Sequence, residues 1–265
     1  MNNTKIDWCD CSYNPVTGCL KDCPYCYAKE IVKRFQGYDD GNGTVTVYNP
    51  SKDLVALAEP FTITSKFGVS RRAAFPYGFD PTLHEYRLDE PFRKKRPKTI
   101  FVCSMADLFG SWVPDKWIEK VFDSCRKAPW HRYLFLTKNP SRYIKLKNAG
   151  KLLKGDNVWY GATCTNPDEI PSWFSEVGKN TFLSVEPLLQ DFGVSDKIKQ
   201  SGVKWVIVGA MTGVFAKTRE PKTEWICNLI LSCGFAKADM FFKSSLTGIV
   251  GEENMLREFP WEAKK

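Results

Sequence analysis

The sequence predicts an α/β chain built as a full or partial (β/α) TIM-type barrel. Three observations carry that prediction. From position 98 onward, near-continuous apolar runs of strand length alternate with amphipathic helical stretches, giving five to six βα units. The 265 residues suit a barrel of about 250 residues as one domain. No Gly-x-Gly-x-x-Gly follows an early strand, which weakens the alternative of a doubly wound, dinucleotide-binding open sheet.

Each element has a local reason. Tyr27 to Phe35 reads as a helix with Ile31, Val32 and Phe35 on its apolar side, and Gly37 to Gly43 as a loop. Residues 44–92 are weakly patterned. They predict a short helix over Ser51–Glu59, a β-like patch over Phe61–Lys66 and a loop around Arg71–Gly78. Then come a strand at Thr99–Cys103, a helix at Asp115–Lys127 opened by Pro114, and a strand at Tyr133–Thr137. A helix at Ser141–Asn148 stops at Gly150, and a strand follows at Val158–Ala162. The pattern continues with a helix at Asp168–Val177 interrupted by Pro171, a strand at Thr181–Val185 and a helix near Ser195–Gln200. It ends with a strand at Trp205–Val208, a helix at Glu224–Cys233 stopped by Gly234, and a strand at Asp239–Lys243.

Composition narrows the class. Mean hydropathy is −0.33 and no apolar run approaches the roughly 18 residues of a spanning helix, so no membrane partner is expected. The first residues carry no apolar signal segment, which points to a cytoplasmic protein of a bacterial or phage-infected cell. The 38 Lys and Arg exceed the 30 Asp and Glu by eight. That excess concentrates in Arg93–Lys98, with Arg71, Arg72 and the stretch Lys138 to Lys154 adding to it. Phe92, Trp130, Tyr133 and Tyr143 interleave as stacking platforms, a pattern that fits DNA or RNA, although a solvated helix face is the better reading of Arg142–Lys154 and an equal one for Arg93–Lys98.

Ten Cys in a chain of this kind do not make a disulfide framework. Cys103, Cys125, Cys164, Cys227 and Cys233 fall in apolar segments and read as buried thiols. Five others crowd into the first 26 residues. Cys19, Cys23 and Cys26 follow C-x-x-x-C-x-x-C spacing, with Tyr25 before the last. Three thiolates on one loop can hold three irons of a 4Fe–4S cluster and leave the fourth open to an external molecule. The alternative is a four-thiolate zinc site joining Cys9 and Cys11 to Cys23 and Cys26 in a non-catalytic nucleic-acid-binding protein.

The Cys19-x-x-x-Cys23-x-x-Cys26 loop resembles the radical S-adenosylmethionine superfamily. More of the chain is similar to an uncharacterised phage and bacterial family related to spore photoproduct lyase. The matching blocks include Ile6–Trp8, Asn14–Cys19, Cys26–Ala28, His84–Leu88, Ile100–Phe109, Leu136–Lys138, Val158–Gly161, Phe182–Leu189, Trp205–Gly209 and Phe241–Lys243. The resemblance implies a barrel with the iron–sulfur loop near its N-terminus and Cys19, Cys23 and Cys26 as cluster ligands. It also implies S-adenosyl-L-methionine on the open iron, a 5′-deoxyadenosyl radical and an electron donor such as flavodoxin or ferredoxin. Two departures stand out. The first two Cys lie closer together than in that family, and Gly209-Ala-Met211-Thr-Gly213 replaces its acidic Gly-Gly-Glu-Ser-Gly turn. Segment 38–80 matches poorly and reads as an insertion.

Active sites of such barrels form where strands end, and polar residues recur there. Lys138 suits the carboxylate of S-adenosylmethionine, Glu186 or Asp107 its ammonium, and Ser104, Ser184 or Thr163 its ribose. By resemblance Tyr25 lies near the adenine. Capping of the following helix is the alternative role for each strand-end residue, and for Glu186 an ion pair with Lys243. Cys103 and Cys164 are candidate hydrogen donors to a product radical. The substrate expected from charge and resemblance is a nucleic acid, modified or repaired; a small molecule or peptide is the alternative.

Overall fold

The computed structural model describes residues 1–35, 38–39, 45–46, 54–64 and 67–262. Seven parallel strands form one sheet in chain order: β1 (Cys11–Tyr13), β2 (Thr99–Val102), β3 (Arg132–Thr137), β4 (Val158–Thr163), β5 (Thr181–Val185), β6 (Trp205–Val208) and β7 (Asp239–Phe242). Asn2–Asn3 adds a short antiparallel strand outside β1.

The sheet is curled. The Trp8 ring lies 4.6 Å from Phe101 on β2 and 6.3 Å from both Phe182 on β5 and Trp205 on β6. Neighbouring strands are about 4.8 Å apart, so one ring could not touch β2 and β6 on a flat sheet. The result is a seven-stranded half-barrel, compatible with a partial (β/α)-barrel.

Alternation along each strand splits the core in two. Phe101, Leu134, Trp159, Phe182, Trp205 and Phe241 point into the curl and are plugged by Trp8, Phe259 and Trp261. Their neighbours, such as Val102, Phe135, Tyr160 and Val185, face the helices. Gly161 is what lets the inner layer close: a Cβ there would stand 2.3 Å from the Phe182 ring, its register partner on β5.

The helices cover the outer face. α1 is Tyr27–Phe35, α2 Asp115–Arg126, α3 Ser141–Asn148, α4 Lys197–Ser201 and α5 Thr223–Ala236. The helix expected over Asp168–Val177 resolves into two single 3-10 turns, Pro167–Glu169 and Phe174–Glu176. Pro171 between them has no N–H to continue a helix. Gly234 does not stop α5, because the left-handed position falls on Lys237 (φ 54°). There Lys237 and Ala238 N–H groups bond back to Gly234 and Cys233 carbonyls.

The poorly patterned region is more β-rich than its sequence implies. Val55–Leu57 is a strand, not part of a helix, because the edge of Thr82–His84 gives it a ladder; Val16–Thr17 pairs on the other side. Residues 51–53 of that expected helix lie outside the described residues. Thr62–Thr64 pairs antiparallel with Ser70–Arg72, so the expected loop begins only after Arg72. Tyr38–Asp39 pairs with Val45–Thr46; the rest of the expected Gly37–Gly43 loop lies outside the described residues. No helix among the described residues is long and apolar enough to cross a membrane.

Candidate functional site at the carboxyl ends of the strands

The cysteine loop is held from both sides. On leaving β1, Asn14 accepts hydrogen bonds from Ser104 Oγ and Met105 N, both at 3.1 Å. Gly18 N donates to Met105 O at 2.9 Å, and Cys19 N to Phe79 O at 3.0 Å. Gly18 adopts φ +85°, and a Cβ there would meet Asp80 O at 2.2 Å, so only glycine fits between the Phe79–Asp80 backbone and the sheet. The chain then turns through Cys26 N to Cys23 O (3.1 Å) and enters α1.

Cys19, Cys23 and Cys26 are free and half-buried. The Lys21 amide donates to Cys19 Sγ and the Lys29 amide to Cys26 Sγ, each at 3.4 Å. Amide donors of this kind stabilise a sulfur that carries negative charge. Burial pushes the Cys19 thiol up to about 11 and raises that of Cys23. A bound cation would reverse that cost and release the protons.

All three thiols line one open cleft of about 960 Å³, counting the space that merges with solvent. Its opposite wall is built from strand ends: Ser104 and Asp107 after β2, Lys138 after β3, Thr163 on β4, Ser184 on β5 and Glu186 just beyond it. Tyr25 and Tyr27 stand beside the thiols. A family profile described as a protein of unknown function, DUF5131, matches residues 3–257. The chain belongs to the DUF5131 family. The DUF5131 match takes in the cysteine loop and all seven parallel strands. No curated protein and no solved structure matches the chain.

Within this DUF5131 chain the polar residues of the cleft differ in what they have left to offer. Asp107 is nearly spent. Its carboxylate accepts from Thr137 Oγ1 at 2.6 Å, Lys138 N at 3.0 Å and Phe109 N at 3.1 Å. Glu186 is held by Lys243 Nζ in an ion pair that stays partly exposed, the alternative partner its sequence context allows. Lys138 Nζ lies 3.4 Å from Tyr25 OH and 5.1 Å from the ring centre, so cation and ring form one corner. Thr163 and Ser184 are register partners, which points both hydroxyls to the same side.

The two candidate hydrogen donors separate. Cys103 borders the cleft in a left-handed conformation (φ 59°), and burial pushes its thiol up to about 12. Cys164 does not reach the cleft. Its Sγ donates to Glu169 O at 3.5 Å in the core, because Thr163 takes the inward position and the next residue must face outward. Cys9 lines a separate cavity with Trp8, Trp130 and Arg132, and Cys11 is buried on β1, so neither lines the cleft that holds Cys23 and Cys26. Among the described residues no three His, Cys, Asp or Glu side chains converge as ligands of a single ion would.

Residues the sequence did not single out complete the cleft. Tyr27 keeps half its surface exposed but turns its hydroxyl inward to donate to Ser104 O at 2.6 Å. Burial of that end, then the nearby Glu186, raises its pKa. Lys21 Nζ donates to Lys138 O at 3.1 Å, tying loop to strand end. Met211, which the sequence did single out, is also in the lining and buried. Adjacency to Cys26 was the available signal for Tyr27; nothing local marks Lys21. The basic run Arg93–Lys98 leads into the amino end of β2, the far end of the sheet from the cleft. There Lys95 Nζ packs 3.7 Å over Phe92, whereas Tyr133 and Tyr143, expected as stacking platforms, are fully buried in the core.

Proposed function

We propose that this chain is a radical S-adenosylmethionine enzyme. It would bind a 4Fe–4S cluster through Cys19, Cys23 and Cys26 and act on a nucleic acid to modify or repair it. One observation carries the reading. The three thiols of the C-x-x-x-C-x-x-C loop face polar side chains from the ends of four parallel strands across a single cleft. When bound, such a cluster supplies the electron that cleaves S-adenosylmethionine to a 5′-deoxyadenosyl radical.

The chain's own residues have distinct tasks in this reading. Lys138 and the Tyr25 ring offer a cation and a stacking face at one corner for a carboxylate and an adenine. Glu186 presents its carboxylate to an ammonium while Lys243 holds it in place. Thr163 and Ser184 offer paired hydroxyls to a ribose. Asp107 acts as a positioning residue for the Lys138 backbone, since its oxygens are occupied by Thr137, Lys138 and Phe109. Phe101 and Leu136 close the floor and exclude water from a reactive intermediate.

The nucleic-acid part rests on the charge excess of eight and on cations near the cysteine loop. Lys21 lines the cleft. Arg71 and Arg72 are exposed on the hairpin leading to Phe79, with no ion pair among the described residues. Binding to generic DNA or RNA that falls steeply with salt supports this part, and salt-insensitive or absent binding removes it.

Anaerobic purification tests the cluster. Brown protein with about four iron and four sulfide per chain, absorbing near 400 nm, supports it. Colourless protein carrying zinc and no iron overturns it.

A further inference from the structure

Helix α5 is apolar on both sides. Ile226, Leu229 and Cys233 bury one face against the half-barrel. The opposite face carries Cys227, Ile230, Leu231, Gly234 and Phe235, all exposed, at i, i+3, i+4, i+7 and i+8; Cys227 is thus not the buried thiol its apolar segment suggests, because it falls on this outer face. Leu231 is 52% exposed and Phe235 59%. A helix apolar all round belongs in an interior, and a solvated face of a soluble domain would carry charge instead. Val194, 51% exposed in the segment that hydrogen-bonds to Ser232 of α5, adds to this apolar surface.

The ends of the stripe identify its occupant. Glu224 lies in the first turn and Lys237 just past the last, both exposed, and neither has an ion-pair partner among the described residues. If a second α5 lies antiparallel across the stripe, with the two-fold axis between Ile230 and Leu231, each Glu224 meets the Lys237 of the other copy. Cys227 then faces Gly234, and Ile230 faces Leu231. Every contact is self-complementary, as an isologous interface requires. Gly234 fits the same geometry. It sits inside a helix, where glycine costs stability relative to alanine, and a Cβ there would meet nothing within 4 Å in the monomer. In such a pairing it would permit close approach of the facing helix. Opposed helix dipoles favour the antiparallel sense as well.

We propose that the protein self-associates as a two-fold dimer through antiparallel packing of α5. The helix follows β6, so its first turn lies toward the cleft end of the sheet. Antiparallel pairing therefore points the two clefts toward opposite ends of the dimer, leaving both open. The dimer is independent of the chemistry proposed for the cleft. A 14-residue helix is about 21 Å long. A face of that size belongs with small, weak interfaces, so a concentration series reaching about 100 µM is the range in which association is expected to show.

Sedimentation equilibrium of the full chain across a concentration series is the test. The unmodified protein is expected to pass from monomer to dimer, and Leu231→Glu to stay monomeric. The far-UV circular dichroism of Leu231→Glu should be unchanged, since Leu231 is half exposed and is not one of the residues α5 buries against the half-barrel. Glu224→Lys and Lys237→Glu alone should each weaken association roughly tenfold by placing like charges opposite one another, twice per dimer. The double variant E224K/K237E should restore it. A protein that remains monomeric at about 100 µM, the top of that series, overturns the proposal. So does a dimer indifferent to Leu231→Glu, or a double variant no better than the singles. Iron content of the monomeric variant should equal that of the unmodified chain, which separates this result from any failure of the cleft.

Discussion

Asp107 accepts a 2.6 Å hydrogen bond from Thr137 across the carboxyl ends of β2 and β3. The same carboxylate takes the Lys138 and Phe109 amides, so one buried side chain fixes the backbone from which Lys138 enters the cleft. Asp107→Asn would turn an amide NH2 toward one of those N–H donors. The expected loss is about 1–3 kcal/mol of stability, the cost of an unsatisfied buried donor. Thr137→Val should lose about 1–2 kcal/mol, because two of the three donors to Asp107 remain while the Asn139 amide loses the Thr137 oxygen it donates to at 2.9 Å. Urea unfolding measures both; an Asp107→Asn protein as stable as the original would show that the carboxylate is not the anchor described.

The cysteines divide sharply in what they should do to iron content. Cys19→Ala, Cys23→Ala and Cys26→Ala should each lose nearly all iron after anaerobic reconstitution, since all three thiols line the cleft. Cys164→Ala should retain it, because that thiol faces the core. Cys23→Ala should also abolish release of 5′-deoxyadenosine. Iron and sulfide analysis beside a protein assay decides the matter, and equal losses from Cys164→Ala and Cys23→Ala would remove the ligand assignment.

What the sequence discloses follows from where information is local. The strands from Thr99 onward are continuous apolar runs, and each is present. β1 is invisible because Cys-Ser-Tyr has no such run and exists as a strand only through its partners, β2 on one side and Asn2–Asn3 on the other. The cleft was legible because barrel topology carries strand ends to one rim, so Ser104, Lys138, Thr163, Ser184 and Glu186 meet the cysteine loop. Cys164 fails by a single residue of strand periodicity. The occupancy of Asp107 was hidden because two of its three partners are backbone amides, which every residue has. The basic run at 93–98 misleads about place: its position before β2 puts it at the end of the sheet away from the cleft.

Gly161 offers a test of the inner layer that needs no cofactor. Its register partner Phe182 lies over it, and a Cβ would stand 2.3 Å from that ring. Gly161→Ala should therefore destabilise the fold by about 1–3 kcal/mol through overpacking. Phe182→Leu in the same chain should recover part of that loss, because the two sites share one space. Additive losses in urea unfolding of the double variant would mean that the ring and the glycine are not coupled.

His84 should make stability depend on pH below neutrality. The ring is buried between Thr17 Oγ1, 2.9 Å from Nε2, and Tyr86 OH, 3.1 Å from Nδ1, just outside the strand that leads to the cysteine loop. Burial first, then the charge of Arg87, lowers its pKa from 6.5 to about 4. The unfolded chain thus binds a proton that the folded chain refuses. The stabilising contribution is complete above pH 6.5 and is lost progressively as the pH falls toward 4. A displacement of that size corresponds to about 3 kcal/mol over the window. Urea unfolding at pH 7 and pH 4.5 should reveal most of that difference in the unmodified protein. His84→Gln keeps a polar side chain between Thr17 and Tyr86 but cannot titrate, so its two unfolding curves should lie closer together. An undiminished difference in that variant would assign the acid sensitivity to other groups.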